Sequence, residues 1–444
     1  MTLQLEEVSG ARWRGPSELG DPVLRARVGE LLGRPREDRP ADEDPYGTVV
    51  VISDASGRVL MHLRDDRVGL WAPGTWAPMG GGAEPEDADP HATAVRELRE
   101  EVALTGVALR PMFSVLSDGY PVHVFHGWWD GEISELTLGE GTDLAWIEPR
   151  RFADLPMHPS MLADTMRVLE LVTPRPAPYG YGTLALIRNV DGHLLMHLRG
   201  DGPGICWPST WSPNGGKPEA EDQGPYATIA REVKEEIGLD LPLAHAFTHT
   251  ASNGHLSYVF EGRWDGNPDT LTLTEGVALG WVDPRHPGAL PMSDLVRYVT
   301  ARALGDDLET QARTEQIAEF VASAMIIHDG HVLVVRRNPE DFLGGTWEIP
   351  GGRITDGEPI VDGLLRETLE ETGLAITRVE HYGGHFDYPN TRGTMTRQFN
   401  WVVSVDKPAP VVLSEHDRHQ WVSHLDELPP TSIQLRQFLE SCWP

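Results

Sequence analysis

The chain has 444 residues, too many for one comfortable core and in keeping with about three domains. Apolar residues make up 40% and charged residues 24%, which excludes a disordered chain, while 37 basic against 68 acidic residues leave a formal charge of −31. That balance excludes a nucleic-acid polymer or an anionic membrane surface as the expected partner, and it leaves room for phosphates only where a divalent cation stands between.

The N-terminal stretch, Met1 to Gly15, lacks a basic-then-apolar signal sequence, and the first 44 residues have no counterpart later in the chain. Within them Pro22 to Leu32 is expected to form a short helix, and Arg34 to Asp44 to be unstructured. Apolar runs such as Val49 to Ile52 are strand-sized, and the two cysteines, Cys206 and Cys442, suit a reducing compartment. A soluble, cytoplasmic protein is the expectation.

From Gly47 onward one unit is written three times. Arg96-Glu97-Leu98-Arg99-Glu100-Glu101 returns as Arg231 to Glu236 and as Arg366 to Glu371, at a spacing of 135 residues. Such a period is a whole domain, far longer than a solenoid repeat. Each copy opens with two apolar runs joined by a turn: Gly47 to Arg64 around Ser56-Gly57, Gly182 to Arg199 around Asp191-Gly192, and Val321 to Arg337 around Asp329-Gly330. A tryptophan and a glycine pair follow, namely Trp76 with Gly80-Gly81, Trp211 with Gly215-Gly216 and Trp347 with Gly351-Gly352. A loop ending near Pro90, Pro225 or Pro359 then leads into a helix, since proline suits a first turn. Downstream, Glu140, Glu275 and Glu415 each stand six residues before a tryptophan, and each copy closes with Leu-Pro and an amphipathic helix. Thr173 to Pro178 and Gly305 to Glu315 read as linkers. The expected division is a leader over 1–44 and domains over 45–173, 179–304 and 318–444.

The segment His91 to Val102 places Val95, Leu98 and Val102 on an apolar stripe and Glu97, Glu100 and Glu101 together on another face. Glu232, Glu235 and Glu236, and Glu367, Glu370 and Glu371, repeat this. Like charges at these spacings weaken a helix by a few tenths of a kcal/mol per pair, so something must offset them. Mg²⁺ or Mn²⁺ would, because hard cations take carboxylate oxygens and keep positions open for a substrate phosphate. A solvated acidic face paired with Arg96 or Arg99 is the plainer reading of one such string. Three strings in phase with a glycine loop and a downstream glutamate favour the metal.

The third copy, through Gly352, Glu358, Arg366, Glu367, Glu370, Glu371, Gly373 and Leu374, resembles the Nudix box Gx5Ex7REUxEExGU, departing at Thr368 where an aliphatic residue is usual. Copies one and two are similar with differences. Each carries an extra residue (Gly82, Lys217), Ala88 and Gln223 replace the leading glutamate, and copy one has Ala103 for glycine. Glu86 with Asp87, and Glu221 with Asp222, are candidates to stand in. The resemblance implies an α/β (α+β) architecture of three tandem Nudix folds, each a mixed sheet between helices. It also implies hydrolysis of a nucleoside diphosphate linked to another group, with Mg²⁺ or Mn²⁺. By position it implies Glu97 with Glu101, Glu232 with Glu236, and Glu367 with Glu371 as metal ligands, aided by Glu100, Glu235 and Glu370. A carbonyl near Gly81, Gly216 or Gly351 adds a further ligand, Glu140, Glu275 or Glu415 serves as ligand or general base, and Glu358 pairs with Arg366.

The chemistry suits these residues independently, since diphosphate cleavage needs an in-line water and an absorber of phosphoryl charge. The expected protein is a metal-dependent pyrophosphohydrolase of small nucleotide-like phosphoanhydrides, monomer or homodimer, with the third domain its most secure catalyst. A nucleotide-binding or scaffold protein that does not hydrolyse is the alternative. His62-Leu63-Arg64, repeated as His197-Leu198-Arg199, reads as strand packing, or as part of a pocket shared by the first two copies. Arg392 and Arg397 are candidate phosphate or base contacts. Trp207 to Trp211 resembles a segment of isopentenyl diphosphate isomerases, but their loop cysteine has no counterpart after it, which argues against isomerase activity.

Overall fold

The computed structural model describes residues 46–67, 70–117, 120–173, 180–340, 343–390 and 392–443. The expected leader helix, the unstructured segment through Asp44 and most of the first linker lie outside these. The chain divides into two compact units at Thr173/Pro174.

The first unit runs β1 (Gly47–Ser53), β2 (Val59–Leu63), β3 (Trp76–Ala77), α1 (Pro90–Val102), β4 (Arg110–Ser117), β5 (Tyr120–Trp128), β6 (Asp143–Ile147) and α2 (Pro159–Val172). Its sheet has the order β3-β2-β1-β5-β4, with β6 on β2. The β1–β5 pair is parallel and its other pairings are antiparallel, so the sheet is mixed as expected. Helix α1 lays Ala94, Leu98 and Val102 on Val50, Ile52 and Leu60.

The second unit contains the other two domains. One runs β7 (Tyr181–Arg188), β8 (Leu194–Leu198), β9 (Trp211–Pro213), α3 (Pro225–Ile237), β10 (Ala244–Thr250), β11 (Leu256–Arg263), β12 (Ala278–Val282) and α4 (Asp294–Thr314). The last runs β13 (Glu319–His328), β14 (His331–Arg337), β15 (Trp347–Glu348), β16 (Gly351–Arg353), α5 (Ile360–Thr372), β17 (Ile376–Pro389), β18 (Met395–Val405), β19 (His416–Val422) and α6 (Ile433–Cys442). Both repeat the first sheet, each with one parallel pair (β7–β11, β13–β18). The β13–β14 hairpin turns at Asp329 and Gly330, with φ of 47° and 73°, the doubly left-handed turn that matches strand twist.

Strand alternation divides the last sheet between two helical layers. Ala324, Ile326, Leu333, Val335, Trp401 and Val403 face α5, while Met325, Val332, Val334 and Val402 face α6 through Leu435, Phe438 and Leu439.

The expected linker Gly305 to Glu315 is instead the C-terminal half of α4. Its polar residues occupy only the outer face. Leu304, Leu308 and Ala312 recur at helical spacing and are buried in the core of the third domain, while Met292, Val296 and Val299 complete the second. Gly305 packs against α5, with Val361 Cγ2 3.4 Å and Ile360 Cβ 3.5 Å from where a Cβ would lie. Tyr298 and Arg302 bond Asp362 on the first turn of α5 at 2.7 and 3.0 Å. Among the described residues no helix is long and apolar enough to cross a membrane.

Candidate active site

The glycine pairs have a steric explanation. The first glycine of each lies at positive φ (Gly80 143°, Gly215 143°, Gly351 157°) with no room for a side chain. A Cβ there would fall 2.1 Å from Thr48 O, 2.2 Å from Thr183 O or 2.3 Å from Ala322 O. The second glycine makes way for a carboxylate, because a Cβ at Gly81, Gly216 or Gly352 would lie 2.4, 2.3 or 2.2 Å from an oxygen of Glu97, Glu232 or Glu367.

Freed of side chains, the loop turns the amide of the first glycine toward the box helix. Gly80 N–H donates to Glu101 Oε2 at 2.8 Å, Gly215 N–H to Glu236 Oε2 at 3.0 Å, and Gly351 N–H to Glu371 Oε2 at 2.8 Å. Gly351 therefore corresponds to Gly80 and Gly215, as the aligned glycine pairs imply, whereas the carbonyl candidates Gly81 and Gly216 are the second glycines of their pairs. The carbonyls of Gly81 and Gly216 accept from Thr48 N–H and Thr183 N–H, both at 2.8 Å.

The three glutamates do not share one face toward water. Glu101, Glu236 and Glu371 are 2%, 3% and 5% exposed, whereas Glu100, Glu235 and Glu370 lie outside. Val95, expected in the apolar stripe, is exposed, and Ala94 and Thr93 are buried in its place. Burial raises the carboxyls of Glu101 to about 8 and of Glu236 and Glu371 to about 7. Glycine N–H bonds oppose the rise and neighbouring glutamates add to it, Glu140, Glu275 and Glu415 among them. Glu97, Glu232 and Glu367 are raised by burial too, against their arginine neighbours. The loop glutamates are contributed by the segment before β6, β12 or β19.

The arginine of each string is the organising cation. Arg366 Nε and Nη2 hold Glu358 at 2.7 and 2.6 Å, as the resemblance implied, while Nη1 reaches Glu367 and Glu370. In the other two domains the leading carboxylate is Asp87 or Asp222, one residue before Ala88 or Gln223. Arg96 bonds Asp87 at 3.1 and 3.0 Å and Arg231 bonds Asp222 at 3.1 and 2.9 Å. Gly82 O and Lys217 O accept from Arg96 and Arg231 as Arg353 O does from Arg366, so Gly82 and Lys217 correspond to Arg353. The added residue lies instead between the leading carboxylate and the arginine, which are nine residues apart in these two domains and eight in the third. Glu86 and Glu221 are exposed. Ala103 takes the left-handed C-cap at φ 56°, matching Gly238 and Gly373 despite its Cβ. Thr368 is fully buried and satisfied by Leu364 O at 2.7 Å.

Sequence reasoning missed part of this shell. Asn214, next to the glycine pair, donates to Glu236 Oε2 at 3.0 Å, and Glu348, next to Trp347, lies 2.9 Å from His416 Nε2. Their position beside the glycine loop was the available signal. Arg397, a candidate phosphate contact, is 4% exposed and committed to Asp387 at 2.8 Å and Glu315 at 2.7 Å.

The residues fit a divalent cation by chemistry. Several carboxylates are buried together with one guanidinium between them, and burial outweighs the positive groups nearby to hold the innermost well above the usual carboxylate range. Among the described residues no group of three His, Cys, Asp or Glu side chains is already drawn together as a closed ligand set.

A family model described as NUDIX domain matches residues 44–167, 178–302 and 319–442. An 8-oxo-dGTP diphosphatase of Proteus vulgaris is 40% identical over 58 residues, 13% of this chain and 52% of that protein. A CTP pyrophosphohydrolase of Escherichia coli is 34% identical over 65 residues, 15% of this chain and 48% of the relative. A nucleoside triphosphate pyrophosphatase/Nudix hydrolase fusion protein of Bifidobacterium longum is 29% identical over 120 residues, 22% of this chain and 25% of the relative. The chain thus spans between a quarter and about half the length of these relatives. Among solved structures, a MutT NUDIX hydrolase from Burkholderia pseudomallei aligns with 28% of this chain and 97% of its own, at 26% identity and a TM-score of 0.26.

Proposed function

The chain belongs to the NUDIX domain family, and from that membership we propose that it is a divalent-metal-dependent pyrophosphohydrolase with three sites of one design. It cleaves the phosphoanhydride bond of nucleotide-like small molecules in the cytoplasm, as a monomer or homodimer, without a nucleic-acid polymer or membrane partner. Its domains span 45–173, 179–304 and 318–444, with the second half of α4 packed into the core of the last, and the third, whose box is the most complete, is its most secure catalytic unit. The names of the relatives, diphosphatases and pyrophosphohydrolases of nucleoside triphosphates, support a nucleotide substrate.

One observation carries the reading. In every domain the last box glutamate is buried against a glycine amide that only a side-chain-free loop can present.

Glu97 with Glu101, Glu232 with Glu236 and Glu367 with Glu371 would hold Mg²⁺ or Mn²⁺, with Glu100, Glu235 and Glu370 and the carbonyl of Gly80, Gly215 or Gly351 beside them. Such an ion supplies charge for the phosphoryl oxygens and acidifies the attacking water. The chain's own work is to place and deprotonate. The arginine–carboxylate clamp keeps the loop against the helix, so the inner glutamate has one orientation. Glu140, Glu275 or Glu415, exposed on its loop, takes the water's proton as general base.

Glu101→Gln, Glu236→Gln and Glu371→Gln together should abolish metal-dependent release of phosphate or nucleoside monophosphate from a nucleotide panel, and variants of one domain at a time apportion the activity. Undiminished turnover in the triple variant removes the assignment. Tight nucleotide binding by the native chain without hydrolysis, metal supplied, would make it a binding protein instead.

A further inference from the structure

A buried imidazole accompanies the last box glutamate in each domain, and it does not always come from the same backbone position. In the first it is His62, 2% exposed, with Nε2 3.9 Å from Glu101 Oε1. Gly80 holds the other oxygen of that carboxylate. In the second it is His197, also 2% exposed, linked through Asn214 Nδ2, which lies 3.1 Å from His197 Nδ1 and 3.0 Å from Glu236 Oε2. The two histidines are equivalent in register: His62 pairs with Ala77 and His197 with Ser212, each the residue after a tryptophan.

In the third domain that register position is Val335, opposite Glu348. The histidine is now His416, immediately after loop glutamate Glu415, with its side chain 4% exposed. Nε2 bonds Glu348, and the ring is near enough to Glu371 to favour its ionised form.

The loop position differs between the domains along with the strand position. Where the strand carries histidine, the residue after the loop glutamate is Gly141 or Gly276, at φ of 87° and 97°. A Cβ at Gly141 would lie 2.6 Å from Leu63 O and 3.4 Å from His62 Nδ1, and at Gly276 2.7 Å from Leu198 O and 3.2 Å from His197 Cδ2. Where the strand carries valine, a loop histidine fits. His–Gly and Val–His are two ways of attaching a ring in one place.

Packing alone does not account for the ring. Neither nitrogen of His62, nor Nδ1 of His416, closes a hydrogen bond, although the Glu140 backbone approaches His62. A buried polar atom left so costs stability, which a leucine would avoid. We propose that this imidazole is the positioning residue of the last box glutamate, orienting Glu101, Glu236 and Glu371 for a divalent cation, and that the chain exchanges its point of attachment while keeping the ring. This rests on the metal-binding reading above.

The test uses Mn²⁺ alone, with affinity read by calorimetry or by its electron paramagnetic resonance. The full chain carries Glu97→Gln, Glu101→Gln, Glu232→Gln and Glu236→Gln, so that the third domain holds the one complete carboxylate set. Against this background His416→Gly should weaken Mn²⁺ binding by about 10- to 100-fold, the usual cost of losing an outer-shell partner. His416→Gly with Val335→His should restore most of it. Circular dichroism and the unfolding midpoint separate folding from affinity. A ring that only packs would move the midpoint and leave Mn²⁺ affinity of the folded protein unchanged, which overturns the proposal, as does a folded exchange variant that stays weak. A background that binds no Mn²⁺ removes the metal reading and this inference with it. A background that binds, with His416→Gly binding equally well, removes the inference alone.

Discussion

Asp87→Asn should loosen the first domain's glycine loop, and Glu86→Gln, one residue away, should not. Asp87 accepts Arg96 through both oxygens, together with Glu84 N–H and Thr93 Oγ1, each at 2.9 Å. The Arg96 guanidinium, aided by these donors, holds its carboxyl down from 3.8 to about 2. That gap is worth roughly 2 kcal/mol. The side chain is only 6% exposed, yet the loop borders solvent, so screening reduces this to roughly 1–2 kcal/mol. The carboxyl is depressed on folding, so the contribution is complete above about pH 4 and is lost as pH falls through about 2. At pH 7 all of it is available to remove. Hydrogen exchange in the full chain reads the loss locally: the Glu84 amide and its loop neighbours should exchange roughly 5- to 30-fold faster in Asp87→Asn. Asp222→Asn and Glu358→Gln should act alike in their own loops, since both carboxyls are also held low by their arginines. Unchanged exchange in Asp87→Asn, or an equal rise in Glu86→Gln, would refute the claim that an aspartate replaces the missing leading glutamate.

Two further outcomes follow from the packing. Leu308→Ala, in a segment that reads as a linker, should destabilise the third domain by about 2–5 kcal/mol, because the side chain is 4% exposed within that domain's core; exchange in β13 and β18 unchanged by the substitution would count against it. His126 is 1% exposed and bonded to Ser53 Oγ at 2.7 Å, and burial lowers its imidazole to about 3. The unfolded chain therefore takes up this proton first, and the first domain should lose about 1–2 kcal/mol between pH 7 and pH 5. Urea unfolding of the native chain against His126→Gln checks this, since the variant should be flatter with pH; parallel profiles would sink it.

Much of the design was legible before any coordinates. Repetition in phase marks domain copies because a fold needs its turn glycines, hairpin dipeptides and helix carboxylates at fixed separations, and separations survive in a linear string. Turn chemistry at Asp329-Gly330 and the REUxEE spacing are local facts of the same kind. Which carboxylate meets Arg96 was not legible, since Glu86 and Asp87 differ by one position in a loop and only the closed loop aims one inward. Polarity misassigned Gly305 to Glu315, because a helix shared by two cores shows each of them only a narrow apolar stripe. Above all, the imidazole beside the inner glutamate reaches it from β2, from β8 or from the first residue of β19. No periodicity links those places, because the ring's position is set by strand register and by the empty space over a glycine, which exist only once the sheet has formed.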